Sequence, residues 1–245
     1  RNAARRQPFP PAWRDILKRR FPYFRTLPAD LQLQLKKHIQ VFLAEKKFIG
    51  CAGVVITDEM RVLIAAQACL LVLRREGDLY PALERVLVYP GAFAVERDST
   101  DDIGLVSKER RELAGESWGD GQVILSWQDT LRGAADSGDG YNVVIHEFAH
   151  QLDQEKGYAN GAPALGPGGR QATWAQVFSD EFERLQRQAL IDEDALFDHY
   201  GATDPAEFFA VASEVFFERP RELAELHPAL YRQLSGFYGL DPLTW

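Results

Sequence analysis

Apolar residues recur every three to four positions in five long stretches of the chain, a spacing typical of α-helices. Two of these stretches begin at residues suited to cap a helix: Asp30 precedes the first, and Thr57 precedes the second, which stops at Gly77. We therefore predict helices over residues 30–48, 57–77, 141–155 and 173–188, and a fifth that opens with Asp204 and has Pro205 at its first helical position.

Two shorter apolar runs have the composition of strands. Residues 83–90 read LERVLVYP and residues 121–127 read GQVILSW, and glycine or proline bounds each run. Glycine-rich stretches at 133–140 and 156–170 bracket the helix predicted for residues 141–155. The pattern predicts a mainly helical α+β fold with a small β-sheet.

Charge is unevenly distributed along the 245 residues. Residues 1–50 hold 12 Lys and Arg against 3 Asp and Glu, whereas the remainder holds 16 against 33. We interpret residues 1–29 as a basic N-terminal arm, which either lies on the acidic body or contacts an acidic partner, and residues 30–245 as one domain. Because no zinc-finger cysteines or RNA-binding aromatic signature accompany the arm, we expect no direct binding of nucleic acid.

The longest apolar stretch, Val62–Leu73, is far shorter than the roughly 20 residues that span a bilayer, so we expect no membrane association. Cys51 and Cys69 form neither a disulfide framework nor a Cys-x-x-Cys pair. Such cysteines are typical of a reducing compartment, and we predict a cytoplasmic protein.

Residues 142–150 read NVVIHEFAH and place two histidines and a glutamate in an otherwise apolar run. His146 and His150 are four residues apart, so their rings project from one face of a helix and can bind one ion. Glu147 lies beside the first histidine, where its carboxylate can reach a water on that ion, as in His-Glu-x-x-His hydrolases. The alternative is a pair of buried histidines without a metal, but burying these groups without a partner costs several kcal/mol.

A hydrolytic zinc usually has three protein ligands and an open fourth position. The extended signature with a third histidine is absent, because Asp153 and Lys156 occupy the places of its glycine and histidine. A carboxylate from the segment DPAEFFAVASEVFFERP is the better candidate. Glu207 and Glu214 share a face of its predicted helix, but Glu207 also fits a capping box, and Glu214 fits a charge in water or a partner of a ligand. Periodicity does not separate them.

Two further features could support the site. Asp153 follows His150 by three residues and lies on the same helix face, where it could accept an imidazole N–H and fix the tautomer, or simply end the helix. The strand predicted for residues 121–127 could lie beside the cleft and bind an extended peptide by strand addition.

The segments VIHEFAHQLD and YGATDPAEFFAVASEVFF, together with YPGAF, DDIGLV and FYGLDPL, resemble the Mlc titration factor A family. These are bacterial zinc metallopeptidases, distantly similar to the anthrax lethal factor protease, and the resemblance extends from about residue 30 onward. It implies a zincin-like core with an active-site helix, Zn²⁺ as cofactor, Glu207 as the third zinc ligand, and Tyr200 facing the metal. It also implies a partner, the transcriptional repressor Mlc.

On this basis we expect a zinc peptidase in which Glu147 is the general base and Tyr200 donates to the developing oxyanion, unless Tyr200 is only a packed core residue. An alternative is a protein that sequesters a repressor and uses zinc mainly for structure, and a third is a metal-dependent hydrolase of another amide. The sequence leaves the choice between exopeptidase and endopeptidase open.

Overall fold

The computed structural model describes residues 2–75, 77–100, 106–113, 115–118, 121–165, 170–191 and 194–245. Its α-helices are α1 (Asn2–Arg6), α2 (Pro11–Arg20), α3 (Tyr23–Thr26), α4 (Ala29–Glu45), α5 (Asp58–Leu70), α6 (Trp127–Ala135), α7 (Val143–Asp153), α8 (Arg170–Leu190), α9 (Pro205–Glu218), α10 (Pro220–Leu226) and α11 (Pro228–Tyr238). Short 3₁₀ helices span Gln154–Lys156, His199–Ala202 and Pro242–Thr244. The strands are β1 (Lys47–Gly50), β2 (Arg85–Tyr89), β3 (Phe93–Thr100), β4 (Val106–Leu113), β5 (Gly115–Trp118) and β6 (Gln122–Ser126).

A helix is present at each of the five predicted places, which confirms the mainly helical α+β class, but several boundaries differ. Helix α4 begins one residue before Asp30, which therefore lies in its first turn and does not cap it. Phe48, predicted to be helical, lies in β1, because the chain leaves α4 after Glu45 to pair in parallel with β2. Helix α5 ends at Leu70, earlier than Gly77.

The main sheet has the strand order β1-β2-β6-β5. Strands β1, β2 and β6 are parallel, and β5 pairs with β6 antiparallel. Strands β3 and β4 form a separate antiparallel pair. The strand expected to take up a peptide, β6, has neighbours on both sides, so it has no free edge for strand addition. In the part of the sheet that the structure describes, the edge strands are β1 and β5, and β5 is the one beside the candidate site.

The N-terminal helices pack into the same hydrophobic core as the rest of the chain. Leu17 and Phe21 are at most 1% exposed, and the hydroxyl of Tyr23 donates to the carbonyl of Phe217 at 2.9 Å. Polar contacts tie α2 to the acidic start of α5, among them an ion pair of 3.2 Å between Arg20 and Glu59. The basic N-terminal segment is therefore held against the rest of the chain by apolar packing as well as by ion pairs.

Two further expectations concerned the cysteines and the length of the apolar helices. Both cysteines are free, and Cys69 is buried. Within the described ranges, no helix is long and apolar enough to cross a membrane.

Helices α7 and α9 pack side by side and position the candidate site. The core side of α7 carries Phe148, which is fully buried and contacts Tyr80 with ring centroids 4.8 Å apart. His146 on α7 contacts Glu214 on α9. One turn later on α7, His150 contacts Glu207, which lies two turns before Glu214 on α9. The two helices therefore run antiparallel, with a polar seam between two apolar faces.

Candidate metal centre

Helix α7 is fixed at its first turn by Asn142, whose side-chain oxygen accepts the N–H groups of Val144 and Ile145 at 3.1 Å each. Its apolar residues then enter the core: Val144, Phe148 and Ala149 have no exposed surface. Because the helix repeats every 3.6 residues, His146 and His150 come to lie on one other face, towards α9. Burial of the apolar face therefore decides where the two imidazoles point.

Three donor atoms converge at the start of α9. The Oε2 atom of Glu207 lies 2.9 Å from Nε2 of His146 and 3.3 Å from Nε2 of His150, and the two Nε2 atoms are 3.2 Å apart. Ligand atoms about 2.1 Å from one tetrahedral zinc lie about 3.4 Å from each other. Among the residues that the structure describes, only these three form a metal-ligating cluster of this kind.

The neighbours of the two ring nitrogens of His146 support the same interpretation. Its Nδ1 lies 2.8 Å from Oε1 of Glu214, a carboxylate that is only 3% exposed and can accept a hydrogen bond from Nδ1–H. In the neutral ring, the lone pair on Nε2 then faces the Glu207 carboxylate and the second imidazole. Such an arrangement of lone pairs is repulsive unless a cation lies among them, so the residues fit a divalent metal ion.

The pKa shifts of these groups reflect the same crowding. Burial lowers the pKa of His146, but hydrogen bonds with Glu207 and Glu214 outweigh this effect and hold the pKa well above its usual value. Burial alone would raise the pKa of Glu207, yet the two histidines hold it below its ordinary range. Both shifts describe the cluster with a proton on the His146 ring, and a divalent cation held by the three groups would take the place of that proton.

The two glutamates that periodicity left open have different positions. Glu207 follows the helix cap, since Oδ1 of Asp204 accepts the N–H groups of Ala206 and Glu207 at 2.8 and 3.0 Å. Its carboxylate nevertheless turns towards the histidines instead of closing a capping box. Glu214 lies behind His146 and contacts the ring nitrogen on the opposite side from the cluster.

Glu147 lies beside the cluster with its side chain almost completely enclosed. It is 5% exposed, and burial raises its pKa to about 7 against the opposing effect of His146 and His150. Strand β5 covers it: a Cβ atom built on Gly115 would lie 2.6 Å from both Cγ and Oε1 of Glu147. Glycine is the residue that allows the strand to come this close to the carboxylate.

Tyr200 and Asp153 occupy different parts of the site. The hydroxyl of Tyr200 donates to Oε1 of Glu207 at 3.2 Å, and its ring, which is not a core group, is 45% exposed and 6.1 Å from the His146 ring. Asp153 instead accepts the backbone N–H groups of Asn160 and Gly161 at 2.7 Å each. In this structure Asp153 holds the loop after α7, and the carboxylate on an imidazole is that of Glu214.

A cavity of about 410 Å³ opens beside His146 of the cluster. His146, Glu147 and Tyr200 line its floor, and Leu196, Phe197 and Val211 form an apolar wall. Asp139 and Asp198 also border it. The cavity therefore reaches the cluster on the side of His146 and Glu147.

Sequence inspection missed three residues of this site. Gly115 gives no signal in sequence, because its role depends on the approach of β5. Asn142 lies four residues before His146, and Glu218 lies four residues after Glu214. Because residues one helical turn apart share a face, the sequence did contain a signal for both of them. Burial raises the pKa of Glu218 to about 8.

The chain is similar to a known protein family along almost its whole length. The family model described as glucose-regulated metallo-peptidase M90 matches residues 1–239. It includes residues 1–29, where the motifs alone indicated no relationship. The matched motif DDIGLV lies at residues 101–106, and its first five residues lie outside the described ranges.

Several curated proteins are similar over most of the chain. An uncharacterised protein of Synechocystis is 43% identical over 238 residues, covering 97% of this chain and 86% of its own length. Mlc titration factor A of Escherichia fergusonii is 36% identical over 236 residues, with 95% and 87% covered. The protein of that name from Pectobacterium atrosepticum is 41% identical over 208 residues, with 83% and 77% covered. These matches confirm the resemblance drawn from the motifs.

Proposed function

Because the chain belongs to the glucose-regulated metallo-peptidase M90 family, we propose that it is a zinc-dependent peptidase of the His-Glu-x-x-His plus Glu type. His146, His150 and Glu207 are the proposed metal ligands. The observation that carries this proposal is the convergence of their three donor atoms, 2.9 to 3.3 Å apart, at a point where His146 and the neighbouring Glu147 line an open cavity. A structural zinc usually has four protein ligands, whereas a catalytic zinc keeps one position for water or substrate.

When bound, zinc would lower the pKa of a water molecule and polarise the scissile carbonyl. Glu147 is the general base: it takes the proton of the attacking water and passes it to the leaving amine. Its enclosure beneath Gly115 limits the positions that this carboxylate can adopt. Tyr200, which lines the cavity and contacts Glu207, would donate a hydrogen bond from its hydroxyl to the developing oxyanion.

The substrate that we propose is a peptide lying along β5. This strand borders the cavity through Gly115 and is the sheet edge beside Glu147, so an extended peptide can add to it by main-chain hydrogen bonds. An aminopeptidase is the exopeptidase form that Asp139 and Asp198 favour, since their carboxylates can hold an α-ammonium group. The test compares hydrolysis of alanyl p-nitroanilide with hydrolysis of its N-acetylated form. An aminopeptidase should cleave only the compound with the free amino group, whereas an endopeptidase does not need that group.

The names of the relatives add a regulatory proposal. Proteins called Mlc titration factor A are 36 to 41% identical to this chain, so we propose a transcriptional repressor of the Mlc type as its protein partner. This interaction would take place in the cytoplasm and would need no direct contact with nucleic acid. The alternative function is sequestration of the repressor with a mainly structural metal, which the three-ligand cluster beside an open cavity disfavours.

The decisive experiment measures metal content and peptide hydrolysis on the same sample of the parent protein and of Glu147→Gln. Glutamine keeps the size of the side chain but cannot accept the proton, so hydrolysis should fall at least about 100-fold while zinc stays near one per chain. Repressor binding should persist, since Glu147 is enclosed in the cavity. Hydrolysis at the parental rate by the zinc-loaded variant would refute the mechanism and favour sequestration.

A further inference from the structure

Behind the metal centre, the polar seam between α7 and α9 continues for one more turn. His150 and His146 face Glu207 and Glu214, and Asn142, one turn before His146, faces Glu218, one turn after Glu214. Asn142 and Glu218 are 1% and 8% exposed. The proposed mechanism uses neither of them.

Asn142 makes more contacts than a helix cap requires. Besides the two N–H groups that its Oδ1 accepts, its Nδ2 lies 2.9 Å from Oε1 of Gln67, 3.0 Å from Oε1 of Glu218 and 3.2 Å from the carbonyl oxygen of Gly133. Serine and aspartate cap helices as well as asparagine does, but neither carries an amide donor. The surroundings of this position therefore select asparagine for its Nδ2 group.

The same residue also determines where Glu214 lies. The backbone N–H of Asn142 donates to Oε2 of Glu214, and Oε1 of that carboxylate contacts Nδ1 of His146 at 2.8 Å. Both oxygens of Glu214 are thus held by the first turn of α7. A shift of Asn142 would move this carboxylate and turn the His146 ring with it.

Glu218 extends this control to the wall of the cavity. Its Oε2 accepts the backbone N–H of Gly140 at 3.1 Å, while its Oε1 accepts from Asn142. Gly140 has φ +82° and borders the cavity beside Tyr141. One carboxylate therefore connects the start of α7 to the loop that faces the substrate.

We propose that Asn142, clamped by Glu218, is a positioning residue that orients the His146 imidazole through Glu214. The proposal rests on the proposed function, in which His146 is a metal ligand. Groups that orient a ligand from behind typically change metal affinity or activity by about 10- to 100-fold when they are altered. This effect distinguishes a positioning residue from a simple helix cap.

Asn142→Ser tests the proposal because serine keeps the cap and removes the amide donor without burying a charge. We expect its zinc dissociation constant, measured by competition with a chelator, to rise about 10- to 100-fold. The visible absorption of the cobalt-substituted protein should change as well, since it reports ligand geometry independently of hydrolysis. Glu218→Gln should shift both readouts in the same direction, and it decides the question if Asn142→Ser does not fold.

The matched control is Thr57→Ala, which removes the cap of α5, a hydrogen bond of 3.2 Å from Met60 N–H to the threonine hydroxyl. This cap lies at the opposite end of α5 from Gln67, ten residues or about 15 Å along the helix from the contact with Asn142. It should lower the melting temperature but leave zinc affinity and the cobalt spectrum unchanged. The positioning role would be overturned if Asn142→Ser and Glu218→Gln had the zinc affinity and the cobalt spectrum of a parent protein that binds zinc and hydrolyses peptides. A parent that binds no zinc would instead overturn the proposed function.

Discussion

The contact between Gly115 and Glu147 allows the general base to be displaced without touching a metal ligand. In Gly115→Ala, the new Cβ would lie 2.6 Å from Cγ and Oε1 of Glu147 and 2.7 Å from Cγ2 of Val143. Ordinary contacts between carbon atoms are about 3.5 to 4.0 Å, so the three groups must separate by about 1 Å. Either the carboxylate or strand β5 has to move.

A displacement of about 1 Å in a reacting group can lower a rate about 100-fold. We therefore expect kcat for a chromogenic peptide to fall about 10- to 100-fold in Gly115→Ala, while zinc content stays near one per chain. Overpacking of this kind should also reduce the free energy of unfolding by about 1 to 3 kcal/mol. The assays are steady-state hydrolysis, metal analysis of the same sample and denaturant unfolding.

Gly138→Ala is the matched control, because the nearest atom to its new Cβ is 3.7 Å away, an ordinary contact. It should hydrolyse peptides at the parental rate. Parental kcat in a folded, zinc-loaded Gly115→Ala would refute the argument that β5 fixes the base. If Gly115→Ala lost zinc in proportion to its loss of activity, the claim that it displaces the general base without disturbing the metal ligands would be wrong.

The remaining predictions concern the metal and the buried carboxylates. The parent should bind about one zinc per chain, and His146→Ala should bind none at stoichiometric metal, so full occupancy in that variant would exclude the assigned cluster. Glu207→Ala should lose zinc and activity, whereas Glu214→Ala should still bind zinc about 10- to 100-fold more weakly; the reverse order in a chelator competition would exchange the roles of the two glutamates. Burial, assisted by the nearby Glu214 and Asp139, raises the folded pKa of Glu218 to about 8. The stability that this group contributes is therefore fully present below the unfolded pKa of about 4.5 and is lost as pH rises through about 8. Between pH 5 and about 8, unfolding free energies should thus fall more steeply in the parent than in Glu218→Gln, and parallel curves would contradict the shift.

The sequence predicted the helices and the histidine motif because both depend on local periodicity. Burial of an apolar face fixes which residues of α7 point away from the core, and Phe148 and Val144 are sufficient to show it. The end of α4 could not be predicted from its own residues, since it depends on the pairing of β1 with β2. A strand that pairs with a distant segment gives no signal within its own four residues.

The choice of the proposed third ligand, Glu207, shows where local reasoning stopped. Glu207 and Glu214 share one face of α9, and either could reach a metal if α9 slid by two turns along α7. The antiparallel packing decides between them, because it places Glu207 opposite His150 and Glu214 behind His146. The resemblance to a known family implied Glu207, but the reason lies in a contact between two helices that are about 60 residues apart in sequence.

The polar seam also explains why these two helices tolerate so many buried carboxylates. Glu147, Glu214 and Glu218 are each less than a tenth exposed, and burial raises the pKa of all three. Buried acids of like charge destabilise a helix interface unless hydrogen bonds or a cation compensate them. Asn142 supplies donors at one end of the seam, and the histidine cluster is suited to hold a divalent cation at the other. The ligands and the asparagine clamp are therefore parts of a single electrostatic arrangement, in which metal binding would stabilise the interface that forms its own site.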